Sequence, residues 1–354
     1  MFGKDMKWFP QWNKDNPTDI YGPIFLIGAA GAAVLAAAVI IMFGNPIQTV
    51  TTQTGPRGNA MGVVDYAGAA PDPSIETYVT SAPVVPASGD ALAKDAIEGA
   101  EPALGDLTVA NYERMVDSIR SWTGIPDLFA GEENYQTLVA RNMIEMTQNL
   151  NENWGDHVGP SGVNCMTCHR GEPVPSGIWF NVQPVNEHVS GWSANQNRAT
   201  DQSQSTSLPS DALEQYLLNY EAIRVHDLEP RVENDGTATI QMTERTYSLM
   251  NYFSNSLDVN CTFCHNTRAF YDLDQSTPQL EQSQLGIAMV QEINNDYMLP
   301  IEELFPQERL GSIHMDVPKV GCLTCHKGYS KPMDGTDMIS DWPELASTEG
   351  PTYE

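Results

Sequence analysis

The chain has 354 residues, enough for one or two domains, and its 46 acidic against 18 basic residues give a formal charge of −28. That balance argues against nucleic acid as a partner, since phosphate binding needs a basic face; it suits capture of a basic soluble protein, or simply solubility. All six cysteines fall in three short motifs, so none is left for a structural disulfide.

The first 19 residues carry Lys4, Lys7 and Lys14 and are read as an N-terminal segment, 1–19. Residues 23–43, PIFLIGAAGAAVLAAAVIIMF, hold no charge. A run of this length crosses a hydrocarbon core of ~30 Å at 1.5 Å per residue, so a transmembrane anchor is predicted over 20–44. Only Arg57 is basic between this run and Lys94, which places the N-terminus in the cytoplasm and the bulk of the chain in the periplasm. The competing reading is a cleaved signal peptide. Against it, the apolar run exceeds a usual h-region and the leader is long and contains acids. No cysteine lies near the end of the run, which excludes a lipoprotein anchor.

Residues 45–105 are rich in Ala, Pro, Gly, Ser and Thr and predict an extended periplasmic tether lying on a partner. Segment 106–184 has helical patterning, with a helix expected from Tyr135 to Asn153. Segment 185–210 is polar and predicts a surface loop. Segment 211–332 is helical again, and 333–354 is expected to be a C-terminal tail.

The three motifs are Cys165-Met-Thr-Cys168-His169, Cys261-Thr-Phe-Cys264-His265 and Cys322-Leu-Thr-Cys325-His326. Cys-x-x-Cys-His is the attachment signature of c-type haem. Two thiols add to the porphyrin vinyl groups, and the adjacent histidine becomes the proximal iron ligand. One copy alone is compatible with a zinc or dithiol motif. Three copies that use every cysteine predict three covalently bound haem c groups. Such attachment also points to the far side of a bacterial inner membrane. The fold expected is a mainly α multihaem cytochrome c with long loops and one N-terminal transmembrane helix.

The two helical segments repeat each other. Met146-Thr-Gln148-Asn-Leu-Asn151-Glu-Asn-Trp154 aligns with Met289-Val-Gln291-Glu-Ile-Asn294-Asn-Asp-Tyr297. Each run leads to a motif followed by a basic residue and glycine, Arg170-Gly171 and Lys327-Gly328. His157 and His314 each stand eight residues before the first Cys of their motif. Tyr112 to Met115 and Tyr247 to Met250 repeat the pattern Tyr-x-x-Met. Cys261 follows Met250, but the matching stretch after Met115, Ile125 to Ala130, has no cysteine. Duplicated helix–loop–motif units are inferred: a two-haem unit doubled to four, with one site erased.

An electron-carrying haem needs a sixth ligand. A methionine thioether raises the potential, and a second histidine lowers it. Met143 precedes Cys165 and Met250 precedes Cys261 on predicted helices. A helical methionine is otherwise core filler, but the recurring placement before haem motifs favours ligation. The third motif lacks such a methionine, because Met143 falls opposite Gly286 in the repeat. Of the remaining histidines, His188 and His226 read as surface residues. His157 and His314 stay as candidates.

With this pattern the chain closely resembles the cytochrome c subunit of purple bacterial photosynthetic reaction centres. The matching stretches are Ala140 to Thr147, His157-Val-Gly, Cys165 to Gly171, Asn260 to Asn266 and Pro318 to Gly328, within a resemblance running from about Leu107 to Pro332. The resemblance implies sixth ligands pairing Met143 with His169, Met250 with His265, and His157 with His326. It implies a line of haems with the Cys261/Cys264 site nearest the bacteriochlorophyll special pair, the Cys322/Cys325 site next and the Cys165/Cys168 site outermost. The middle, bis-histidine site is then the lowest in potential. The implied function is re-reduction of the photo-oxidised special pair with electrons from a soluble periplasmic cytochrome c or similar donor, with no bond-making chemistry. The implied partners are the reaction centre L and M subunits, with H in the same complex, surrounding light-harvesting antenna, and the inner photosynthetic membrane. The chain departs from the family in lacking the outermost motif, which orphans Met115, and in carrying an apolar helix where many members have a lipidated N-terminal cysteine. Arg170, Lys327 and Arg268 beside the motifs are candidates for pairing haem propionates, or plain surface charge.

Two rival readings remain. A membrane-anchored multihaem quinol dehydrogenase feeding a periplasmic reductase also has one helix and several motifs, but usually needs bis-histidine haems and a quinol site. A multihaem nitrite reductase or peroxidase needs an open iron.

Overall fold

A computed structural model describes residues 14–15, 22–44, 49–53, 62–66, 71–131, 133–182, 196–197, 200, 202–203, 206–225, 238–270 and 272–353. His188, His226, most of the expected loop 185–210 and most of the N-terminal segment 1–19 lie outside the described residues. The chain divides into a small unit, Met1–Thr52 with Val64–Ala69, and a large one, Gln53–Val63 with Ala70–Glu354.

The small unit holds α1, Gly22–Phe43. Its stretch Leu26–Phe43 is long and apolar enough to cross a membrane. Leu26, Leu35, Ile41 and Phe43 are all exposed. A helix apolar on every side suits hydrocarbon rather than water. Strands β1, Thr49–Gln53, and β2, Gly62–Tyr66, pair as a two-stranded sheet.

The large unit is mainly helical. Helix α2 is Val109–Thr123. Its Tyr112, Met115, Val116, Ile119 and Trp122 are buried, at the spacing that puts side chains on one helical face. Gly124, at φ 63°, ends it, a left-handed conformation that costs glycine nothing. Helix α3, Tyr135–Asn153, runs as its patterning predicts and is capped by Asn134, whose side chain accepts from the Thr137 amide. Then come α4, Cys165–His169; α5, Ala212–Leu217; and α6, Ile240–Leu257. Helix α7, Pro278–Glu292, runs on into a π turn, Ile293–Met298, and a 3-10 turn, Leu299–Leu304. Helix α8, Cys322–His326, carries the last motif.

Among the described residues, three apolar clusters hold these helices. The first joins α2 and α4 to Ala93, Leu104, Leu107, Met333, Met338, Trp342 and Leu345. The second joins α5, α6 and α7 around Trp179, and the third joins α3 to the π turn and Val317.

Two expectations change here. Segment 333–354 is not a free tail, because Met333, Trp342 and Leu345 are fully buried. The Trp342 ring meets Trp122 edge-on at 4.6 Å, and Arg114 lies 4.3 Å over it. Parts of the stretch expected as a tether join the same core: Asp72, Ala93, Glu101 and Leu104 are buried, and Ile75, Tyr78 and Ile97 pack against it. Asn111 exchanges two hydrogen bonds with the Val84 backbone, and Ala93 and Lys94 donate to the backbone of Leu107 and Gly105. Between these points most of 79–91 stays exposed.

One arrangement occurs twice. The Asn151 side chain donates to the Val163 carbonyl and accepts from the Val163 amide, both at 2.8 Å. Asn294 treats Val320 the same way, at 3.0 and 2.8 Å. Each clamp ties a long helix, or the π turn that continues it, to the residue two before a Cys-x-x-Cys-His motif.

Candidate haem-binding site

In α4 and α8 the two cysteines and the histidine of each motif sit at i, i+3 and i+4, hence on one helical face. Both helices start alike, with the N-cap backbone amide (Asn164, Gly321) donating to the threonine hydroxyl three residues on. Both end alike, with Arg170 at φ 55° and Lys327 at φ 51°, each followed by a glycine of positive φ. The repeated basic-residue–glycine pair is therefore turn chemistry that lets the chain leave the histidine at once. The Cys261 motif opens instead with a 3-10 turn, Cys261–Phe263, capped by Asn260, and the His265 amide still donates to the Cys261 carbonyl.

The starts differ in one respect. Asn164 caps α4 with its own side chain, which accepts from the Met166 amide at 3.0 Å. At α8 that task falls to Tyr252 of α6, whose hydroxyl accepts from the Leu323 amide at 3.2 Å. A Cβ at Gly321 would lie 2.3 Å from that hydroxyl, so glycine is required for the tyrosine to approach.

All six cysteines, the three motif histidines, and Met143, Met250 and His157 line one cavity of about 1910 Å³. Ordinary small-ligand pockets hold about 300–1,000 Å³, so this space suits several large groups rather than one. Its walls include Val139, Leu150, Phe253, Ile287 and Met298. Burial in this apolar setting pushes the Cys165 and Cys322 thiols up to about 12 and Cys264 to about 11. Helices α4 and α8 pack against each other, with the Cys168 and Cys325 sulfurs 2.8 Å apart.

Every one of these histidines is oriented in the same way. The Nδ1 atoms of His169, His265, His326 and His157 hydrogen-bond the backbone carbonyls of Glu172, Phe270, Tyr329 and Gln282, at 2.8 to 2.9 Å. A carbonyl can only accept, so each Nδ1 carries the proton and each Nε2 keeps a free lone pair. That is the tautomer a metal needs, fixed by the partner that ligating histidines use. Burial lowers the pKa of His157 and His169 and brings His326 down to about 4, so these three rings are neutral at pH 7.

His157 and His326 face each other with ring centroids 6.4 Å apart at 65°. A metal–imidazole bond of about 2 Å on each side sets two ring centroids roughly 6 Å apart. That separation leaves room for one iron between the two rings.

The chain matches the family model described as photosynthetic reaction centre cytochrome C subunit over residues 44–346. The chain belongs to this family. It is 55% identical to the photosynthetic reaction center cytochrome c subunit of Roseobacter denitrificans, over 98% of this chain and 99% of that one. It is 39% identical to the subunit of the same name from Rubrivivax gelatinosus, over 68% of this chain and 69% of that one. For Thermochromatium tepidum the identity is 35%, over 69% of this chain and 62% of that one. The family match extends past the stretch 107–332 that carried the sequence resemblance. It takes in the buried C-terminal segment, in keeping with that segment's place in the core.

Several candidates of this reaction centre subunit fall elsewhere. Met115 is fully buried in the first cluster, away from the cavity wall, and serves as core filler. His314 is exposed and does not line the cavity. Arg170 is buried and pairs with Asp72, Arg268 binds the Gln275 side chain, and Lys327 donates to Ser176. Sequence reasoning missed the four orienting carbonyls and Tyr252. Only the offset between histidine and carbonyl could have hinted at them.

Proposed function

We propose that this chain is the haem electron-transfer subunit of a photosynthetic reaction centre. It re-reduces the photo-oxidised bacteriochlorophyll special pair with electrons from a soluble periplasmic donor. The observation that carries this reading is the set of four histidines with Nδ1 held by carbonyls around one cavity that also holds every cysteine. Together with family membership, it supports three haem c groups, one for each motif.

Bound haem supplies a one-electron iron couple. Cys165 and Cys168, Cys261 and Cys264, and Cys322 and Cys325 anchor the three groups. His169, His265 and His326 present Nε2 to them. Met143 would serve as the sixth ligand of the His169 group and Met250 as that of the His265 group, and their thioethers would hold those sites at high potential. His157, from the first half, would pair with His326 on the third group and keep that site low. The apolar walls exclude water and so keep reorganisation small. The sites run from Cys261 nearest the special pair, through Cys322, to Cys165 outermost. Contact between α4 and α8 supports the adjacency of the last two.

The paired Asn clamps and matched motif helices support duplicated units, with a fourth haem site, the one beyond the Cys165 site, erased in this chain. The apolar helix α1 is a retained single-pass anchor in the inner photosynthetic membrane, and the bulk of the chain is periplasmic. The partners are the L and M subunits, with H in the complex, and surrounding antenna. The acidic surface steers a basic donor cytochrome.

The test is to compare native membranes with membranes lacking this chain. Pigment re-reduction after a flash should slow without it and recover when it is restored. Unchanged recovery would favour the quinol dehydrogenase reading.

A further inference from the structure

Helix α7 meets His157 at two backbone positions one turn apart. The Gln282 carbonyl accepts from Nδ1 at 2.9 Å. At Gly286 an added Cβ would lie 2.7 Å from Cε1, 3.1 Å from Nε2 and 3.3 Å from Nδ1 of the same ring. Real Cβ atoms do not approach a ring that closely, so the imidazole occupies the space a side chain at 286 would take. The bare helix is what lets the ring reach the Gln282 carbonyl and face His326 at 6.4 Å.

The twin position in the first half has the opposite character. Asn151 and Asn294 make the same clamp to Val163 and Val320, so α3 and the run of α7 into its π turn approach their motifs in equivalent register. In that register Gly286 stands where Met143 stands in α3. One helix supplies a thioether from this position, and the other supplies a gap.

We propose that residue 286 selects the sixth ligand of the Cys322/Cys325 site: glycine there admits His157, and a side chain there excludes it. This rests on the reading of His157 as that ligand. Gly286 acts as a positioning residue, since it touches the ligand and not the iron. The exchange of methionine for glycine between the two halves is then the change that turns a thioether-ligated site into a bis-imidazole one.

The test uses the purified haem-loaded complex and reads ligation rather than electron transfer. Alanine forms helix better than glycine, so Gly286→Ala should assemble with a full haem complement. We expect it to lose the bis-imidazole electron paramagnetic resonance signature of one haem and the lowest-potential wave of the redox titration. His157→Ala should lose the same two signals. If His157→Ala loses them and Gly286→Ala keeps both, the selector role is overturned and the ligand reading stands. If His157→Ala keeps them, the ligand reading fails and the selector role with it. Should Gly286→Ala fail to assemble, the double variant His157→Gly with Gly286→Met decides. It should show thioether ligation and a raised potential at one haem, and a high-spin, five-coordinate iron there would overturn the proposal.

Discussion

His157 faces His326 with ring centroids 6.4 Å apart, although one follows α3 in the first half and the other ends α8 in the second. Both rings are partly buried and kept neutral, and each has its Nδ1 tied to a carbonyl. Two such rings gain little from each other across that gap. An iron between them would use both free lone pairs, which gives the arrangement a purpose that packing alone does not.

The thioether assignment makes a direct prediction at Met250, which lines the cavity on α6. Met250→His should retain haem and lower the potential of one site only, because imidazole favours the ferric state more than a thioether does. Potentiometric titration checks this. An unchanged set of potentials would remove Met250 from the ligand list.

Asn294 is fully buried and satisfies the Val320 amide and the carbonyls of Leu217 and Val320. Asn294→Ala strands the Val320 amide and the Leu217 carbonyl, while the Val320 carbonyl keeps the Trp179 indole N–H, and should cost about 1–3 kcal/mol for each unsatisfied group. Asn151→Ala strands Val163 and the Leu345 carbonyl and should cost a similar amount. Denaturant unfolding of the two variants, compared with the parent chain, measures both losses.

The C-terminal segment should be needed for folding. Trp342→Ala removes a fully buried ring and should cost about 3–5 kcal/mol. Glu344 is wholly buried and accepts from Arg114 with both oxygens, at 2.6 and 2.7 Å. Glu344→Gln leaves that guanidinium uncompensated, at about 3–5 kcal/mol. Thermal unfolding distinguishes these losses from the near-zero effect expected of a free tail.

Asp72 gives a pH dependence. Burial opposes its ionisation, but the Ser74 amide and the Arg170 guanidinium outweigh burial and hold its pKa below 3.8. A depressed carboxyl stabilises the fold above its unfolded pKa, and that contribution is lost as pH falls through the folded value. The stability difference between the parent and Asp72→Asn should therefore be constant from neutrality to about pH 4 and shrink below it. Urea titrations at several pH values test this, and a difference that shrinks as pH rises would contradict it.

The chemistry of the site was legible because covalent attachment imposes a local pattern. Each anchor and proximal ligand lies within five consecutive residues, and the apolar run of α1 is likewise contiguous. The pairing of His157 with His326 was reachable only through family resemblance, since no local spacing links the two. The core role of Met333, Met338, Trp342 and Leu345 was hidden because they are scattered among Pro, Asp and Gly with no helical period. Their burial comes from docking on α2, a tertiary fact. Gly286 and Gly321 read as ordinary glycines in sequence; only the approach of His157 and Tyr252 gives them meaning.

The most direct test of the account is flash spectroscopy of native membranes containing this chain, under moderately reducing conditions. The c-type haem α-band would be followed alongside the pigment signal. The account predicts haem oxidation that tracks re-reduction of the bacteriochlorophyll within the same complex. Haems that stay reduced while the pigment recovers by another route would contradict it.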